Sequence, residues 1–400
     1  MVLKNKEGVE LWQAVPALFL GGFATYSLLY CVQPLLPIFA AYFDLSPTMA
    51  SLSLSLTLAG VLLGMLLIPK LSKKWGRKNV MASSLFIAAI LEAAVISSTD
   101  YWFFLAARAV LGLVLAGFPA NAMAYVAEEF PPHQAAAVMG LYISGTAVGG
   151  MFGRLLAGWL TEWYSWRVAL LVLAGIAFFA AMWFIFCLPR SRNQGGQGNE
   201  TLGLLESLGR AASERKLIYL YLAGFLLMGA FVTLFNYIPF LLMSPPYSLT
   251  AAAVGSLFIL NAVGTMTAPL VGRLAARFSP AAVLAGGIVF MFAGALATLC
   301  APFVLKLVGM TIFSGAFAAN HSTISAWVGR CATFDKAQAS AWYLIFYYAG
   351  AITAGTAGGQ FWLLGGWEGV IAFVSGLLGL AFAIIAVNRK RLEKESKISA

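Results

Sequence analysis

The sequence predicts an all-α membrane protein, with twelve transmembrane helices arranged as two pseudo-symmetric six-helix bundles. Three observations predict it. Of 400 residues, 61% are hydrophobic and 10% are charged, against roughly 25% charged in an ordinary soluble domain, whose core cannot absorb so much apolar surface. The apolar residues come in long runs, such as Ala14 to Tyr30, Leu52 to Leu67 and Val168 to Leu188. Each is close to the roughly 20 residues that cross a ~30 Å hydrocarbon layer as a helix. Finally, the two halves of the chain repeat each other's motifs in the same order.

Charge, proline and turn residues divide the chain into spans near 14–38, 49–69, 79–98, 102–127, 136–160, 167–188, 217–241, 252–272, 281–301, 304–328, 338–362 and 367–388. If the amino terminus is cytoplasmic, every Lys and Arg except Arg108, Arg154, Arg167 and Lys306 falls in a cytoplasmic segment. The positive-inside rule therefore places both termini in the cytoplasm. The net charge of +10 follows from that orientation and gives no reason to expect a nucleic-acid partner. Lys4 and Lys6 precede a first run that is long enough to span and lacks a small-residue cleavage site, so a retained signal anchor is expected. The hydrophilic stretch 189–216, with SRNQGGQGNE, reads as a flexible cytoplasmic linker between an amino-terminal bundle (1–188) and a carboxy-terminal bundle with a short cytoplasmic tail (217–400). Cys31, Cys187, Cys300 and Cys331 lie in or beside apolar segments without paired spacing, so neither a disulfide framework nor a metal site is expected.

The repeat has a spacing of about 203 residues. PKLSKKWGRK (69–78) after span 2 answers GRLAARFSPA (272–281) after span 8. GLVLAGFPAN (112–121) in span 4 answers GMTIFSGAFAAN (309–320) in span 10, and GTAVGGMFG (145–153) in span 5 answers GAITAGTAGG (350–359) in span 11. Repeats around a midplane site are the architecture of many secondary transporters.

These motifs resemble the major facilitator superfamily along essentially the whole chain, which implies a central cavity lined by spans 1, 4, 7 and 10. Residues 69–78 are similar to the superfamily's loop 2–3 motif through Leu71, Lys74, Gly76, Arg77 and Lys78, with Pro69 in place of its first glycine and Lys73 in place of its acidic residue. Arg108 with Gly112 resembles the span-4 Arg-x-x-x-Gly motif of proton-coupled members. GTAVGGMFGR (145–154) resembles the span-5 antiporter motif, with Gly150 where that motif has proline. YCVQPLLP (30–37), GLYISGTAVGGMFGR (140–154), GFLLMGAFVTLFNYI (224–238) and FAANHSTISAWVG (317–329) are similar to a drug:proton antiporter branch. Its members are bacterial inner-membrane efflux permeases named for acriflavine sensitivity or arabinose efflux. The resemblance implies a monomer in a bacterial cytoplasmic membrane, with a small-molecule substrate, protons and lipid as partners.

Charges at bilayer depth cost several kcal/mol unless paired or wet, so they are the first candidates for mechanism. Arg108, Arg154 and Glu92 lie about eight, six and six residues from the external ends of spans 4, 5 and 3, hence at similar depth in one bundle. Glu92 is the one carboxylate well inside a predicted span. A Glu92–Arg108 or Glu92–Arg154 pair either couples proton uptake to substrate or serves as a static brace. His321, the one histidine inside a predicted span, is a proton- or substrate-binding candidate whose alternative is hydrogen-bonded packing. Tyr26, Tyr30, Gln33, Asn121, Asn236, Tyr237, Asn261 and Tyr347 are candidate cavity groups. Two deep arginines against one glutamate favour neutral or anionic amphiphiles over simple cations. At the cytoplasmic end, the family resemblance implies that Arg77 and Lys78 come near Glu128 and Glu129, so an Arg77–Glu128 or Arg77–Glu129 pair is expected to act as a gate that stabilises the outward-facing state. Gly145, Gly149, Gly150 and Gly153 have the spacing of a close helix crossing.

The leading expectation is proton-coupled efflux of small amphiphilic compounds by alternating access. The alternative is a facilitator or importer/exporter of a polar metabolite such as a sugar or organic anion. A membrane enzyme or lipid flippase is a third class. No His/Cys/Asp cluster and no GxxxxGK[ST] phosphate loop occurs, so neither catalysis nor a cofactor is expected.

Overall fold

A computed structural model describes residues 13–188, 214–262, 279–332 and 336–394. These residues are helical, with turns and no strand among them. The linker expected at 189–216 lies outside the described residues up to 213, as does most of the second half of span 8 with Arg273 and Arg277. Among the described residues, ten helical segments are long and apolar enough to cross a membrane. One of them lies in Lys336–Lys394, two helices joined at Gly365 and Gly366, where Gly366 has φ 55°, and a shorter helix, Ala251–Leu257, lies where the eighth span is expected to start. Large apolar side chains such as Phe179, Phe186 and Val387 point outward, as expected when the surrounding solvent is lipid.

Span 1 is built in pieces: Ala14–Tyr30, a 3-10 turn Gln33–Leu35, then Leu36–Tyr42. Its interruption follows from Pro34 and Pro37. Proline has no N–H, so the Tyr30 and Gln33 carbonyls lose their i+4 donors. Span 4 breaks likewise into Tyr101–Leu115 and Pro119–Glu129. There Pro119 cannot answer the Leu115 carbonyl, which accepts from the Phe118 N–H instead at 3.2 Å. Spans 2 (Pro47–Trp75), 3 (Arg77–Val95), 5 (Pro132–Trp163), 6 (Trp166–Cys187), 7 (Arg215–Met243), 9 (Pro280–Ala297) and 10 (Phe303–Cys331) are continuous. Several run past the apolar window into polar ends, because helix hydrogen bonding continues beyond the hydrocarbon layer. Asp100 and Ser165 cap spans 4 and 6 by accepting from the Phe103 and Val168 N–H. Gly76, at φ 81°, makes the tight turn between spans 2 and 3 that a side chain would strain.

The chain forms two compact units. The first contains the described residues of Met1–Asp44, Leu52–Asn199 and Leu249–Phe258; the second those of Leu45–Ser51, Glu200–Ser248 and Ile259–Ala400. In the first, span 5 lies against span 1. A methyl group at Gly145, Gly149 or Gly153 would fall 2.5, 2.1 or 2.5 Å from the carbonyl oxygens of Phe19, Phe23 and Ser27, and the Ser27 hydroxyl donates to the Gly149 carbonyl at 2.8 Å. In the second, span 11 lies against span 7 in the same way. Gly350 meets the Phe225 carbonyl, Ala354 meets Gly229, and the Thr233 hydroxyl lies 2.9 Å from the Ala354 carbonyl. Gly150 takes no part in the span 1–span 5 crossing. It is one residue, about 100°, round the helix from Gly149, and a methyl there would meet only Arg154, Tyr30 and Tyr26 at 3.4 to 3.9 Å. Its expected packing role passes to the other three glycines.

Candidate functional site

Arg108 and Glu92 are both fully buried and form an ion pair, with Nη1 donating to Oε2 at 3.0 Å. Of the two arginines that Glu92 was expected to choose between, the structure selects Arg108. The rest of the guanidinium is also engaged. Nε donates to the Thr57 hydroxyl of span 2 at 3.1 Å, while Nη1 and Nη2 donate to the Leu28 and Leu29 carbonyls at 3.2 Å each. Those carbonyls belong to the last turn of the first piece of span 1, where a helix runs out of its own donors. Arg108 thus ties spans 1, 2 and 3 to span 4 at the point where span 1 is interrupted. The Cys31 thiol lies 3.5 Å from Glu92 Oε1 and 3.3 Å from the Leu28 carbonyl. Gly112, one turn beyond Arg108, lets spans 2 and 4 touch, since a methyl there would fall 1.9 Å from the Thr57 carbonyl oxygen.

Arg154 lies on the other side of the same interruption. It is 6% exposed. Nε donates to Gln33 Oε1 at 2.8 Å, and Nη1 to the Gly150 carbonyl at 2.7 Å. Its guanidinium carbon sits 4.2 Å from the Tyr30 ring centroid and 5.0 Å from that of Phe258. Tyr26 is next in line, with its ring 6.2 Å from Tyr30. Gln33 is therefore an arginine-holding residue, and Tyr26 and Tyr30 flank that arginine.

In the second unit His321 heads an aromatic cluster. Nδ1 is 2.8 Å from the Tyr343 hydroxyl, and its ring lies 4.7 Å from Tyr347 and 6.2 Å from Phe317. Phe317 stacks on Phe231 at 4.0 Å. Tyr237 donates toward the Gly355 and Thr356 carbonyls at 3.0 and 3.2 Å. Asn236 is buried on the same helix, and Asn261 accepts from the Ser314 hydroxyl at 3.0 Å. Asn121, in the first unit, donates to the Gly117 carbonyl across the break in span 4. Asn121 and Tyr237, two of the polar residues expected to line a cavity, thus satisfy backbone groups at a helix break and a crossing.

At the start of span 3 and the end of span 4, Arg77 grips Glu128 with both Nε and Nη2, at 2.7 and 2.5 Å. Both side chains are about a quarter exposed. Glu129 is buried on the neighbouring face, and Lys78 is half-buried. Sequence reasoning missed Cys31, Thr57, Phe258 and Tyr343, ordinary residues in apolar runs whose partners lie far away in the chain. It left Arg167 and Lys306 unassigned. Arg167 donates to the Ile96 carbonyl and the Tyr42 hydroxyl, and Lys306 to the Thr298 carbonyl beside Tyr247. Each cation clasps helix ends of its own unit.

Residues 18–268 match the model of the Major Facilitator Superfamily. The chain is 41% identical over 377 residues to the uncharacterized MFS-type transporter YybF of Bacillus subtilis (strain 168), covering 94% of this chain and 93% of that protein. It is 40% identical over 376 residues to the inner membrane transport protein YnfM of Escherichia coli (strain K12), covering 94% and 90%. Among solved structures, the nucleoside transporter NupG superposes with a TM-score of 0.76 at 16% identity, over 93% of this chain and 99% of that one, a likeness of fold alone. With the family model spanning more than half of the chain, and with relatives this similar along nearly its full length, the chain belongs to the major facilitator superfamily of membrane transporters.

Proposed function

We propose that the protein is a proton-coupled exporter of small amphiphilic compounds that works by alternating access as a monomer in a bacterial cytoplasmic membrane, with both termini inside. One observation carries the reading. Glu92, the one carboxylate among the described residues that is fully buried, is paired with an arginine that also holds the interrupted end of span 1. While Glu92 is ionised, it balances Arg108. A proton on Glu92 cancels that balance and leaves Arg108 with an uncompensated charge at bilayer depth, which is costly. Arg108 must then take a new acceptor, and its grip on the Leu28 and Leu29 carbonyls changes with it. Proton binding is thereby passed to span 1, which carries Tyr26, Tyr30 and Gln33. His321, held by Tyr343, is a second proton group in this scheme, and Arg77–Glu128 serves as the cytoplasmic latch.

The second reading is a facilitator of a polar metabolite, a sugar or organic anion. Four of the hydrogen bonds Arg108 makes are already satisfied within the protein, the arrangement a static brace would have. Proteoliposomes under an imposed pH gradient separate the two. Anionic, neutral and cationic dyes are added to native protein, Glu92→Gln, Arg108→Ala and His321→Gln, and substrate-triggered proton movement is recorded. Export is supported if one dye class collapses the gradient and Glu92→Gln abolishes the effect while still binding dye. Dye crossing with no proton movement in any variant establishes the facilitator.

A further inference from the structure

We infer that Arg154 is the binding site for the anionic group of the substrate, and that the substrate class is an amphiphilic carboxylate or similar monoanion whose apolar body lies against Tyr26 and Tyr30. This rests on the transporter reading and adds the chemistry of its cargo. The first unit holds two deep arginines, and the structure treats them differently. Arg108 is neutralised by Glu92. Arg154, almost as deeply buried, is in neither of the two ion pairs found among the described residues. Its partners are a neutral amide, a carbonyl and two ring faces. Such partners orient a cation without cancelling its charge, and a buried cation without an anion is a stranded one.

The bonds it makes also define the edge it leaves open. Nε is spent on Gln33 and one Nη1 hydrogen on the Gly150 carbonyl, while Nη2 donates to nothing among the described residues. One Nη1 hydrogen and both Nη2 hydrogens remain, enough to supply a pair of parallel donors. A carboxylate takes two parallel N–H bonds from such a pair. The rings of Tyr30 and Phe258 over the guanidinium hold its plane, so the fork is set before an anion arrives, and Gly150 keeps the flank beside Tyr26 and Tyr30 free of a side chain. Lys306, the other buried cation without a carboxylate, offers no such edge. It is a compact ammonium with no planar pair of donors, held by the Thr298 carbonyl near the Tyr247 ring.

Equilibrium binding to the purified protein in detergent, with no gradient, tests this apart from proton coupling. The probes are benzoate, 1-naphthoate and decanoate, each against its amide and its primary ammonium counterpart. At least one carboxylate should bind the native protein tenfold or more tightly than its amide, with the ammonium weaker still. Arg154→Gln should erase the difference, and Arg154→Lys should keep part of it. The proposal is overturned if amides bind as well as carboxylates, if ammonium probes bind best, or if no carboxylate binds. The native comparison stands even if a variant fails to fold. Carboxylate binding without any proton movement in vesicles would leave this assignment standing and remove the coupling.

Discussion

The junction of spans 1 and 5 and the junction of spans 7 and 11 are one joint built twice, about 205 residues apart. Small residues at every fourth position press on the facing backbone, and a hydroxyl, Ser27 or Thr233, reaches across to the carbonyl of Gly149 or Ala354. One turn further along, the two diverge. The first joint has Tyr30, Gln33 and Arg154; the second has Asn236, Tyr237 and Gly359, with the tyrosine hydroxyl spent on backbone carbonyls. Close backbone contact dictates the crossing residues, because only small side chains fit there. The adjoining face carries no such constraint, and there only the first half acquired charge.

If the charge asymmetry is structural as well as functional, the largest loss falls on the first half. Arg108→Ala strands Glu92 and should destabilise the protein by about 3–5 kcal/mol in reversible unfolding from detergent micelles. His321→Phe, which removes one hydrogen bond to Tyr343, should cost no more than about 1.5 kcal/mol. Equal losses would erase the distinction between the halves.

The next test separates crossing from neighbour on a single helix. Gly149→Ala places a methyl 2.1 Å from the Phe23 oxygen and should cost about 1–3 kcal/mol as spans 1 and 5 are pushed apart. Gly150→Ala meets ordinary contact distances and should stay within about 0.5 kcal/mol. Ser27→Ala and Thr233→Val probe the shared hydroxyl tie, and each should lose about 1 kcal/mol; a large difference between them would break the equivalence of the two joints. At the latch the expected effect on stability is small as well. Arg77→Gln should change unfolding by under about 1 kcal/mol while altering transport rate, and an unchanged rate would remove its gating role.

The fold class was legible because lipid imposes a length and an apolarity on each helix that few residues can disguise. The depth of Glu92 and Arg108 was legible for the same reason, since a charge in such a run stands out. Which arginine Glu92 takes was not, because Arg108 and Arg154 have similar depth and the choice depends on how spans 3, 4 and 5 are turned toward one another. The break in span 1 is written in Pro34 and Pro37. That the Leu28 and Leu29 carbonyls receive a guanidinium depends on the tertiary approach of span 4 to span 1, which spacing alone does not reveal. Gly150 misled for a related reason: the glycine run hides which of its members face another helix.

The Cys31 thiol, buried 3.5 Å from Glu92, also makes the protein a spectroscopic instrument. An S–H bond absorbs in an infrared window where water and amides are transparent, and its frequency falls when the hydrogen is donated to a strong acceptor. With Glu92 ionised, the acceptor is a carboxylate; with Glu92 protonated, the thiol meets only weaker, neutral acceptors, and its band moves up. The other three cysteines are at least partly exposed, so Cys31→Ser should delete one distinct band. Difference spectra would then time the arrival of a proton at the ion pair, without a label and without substrate.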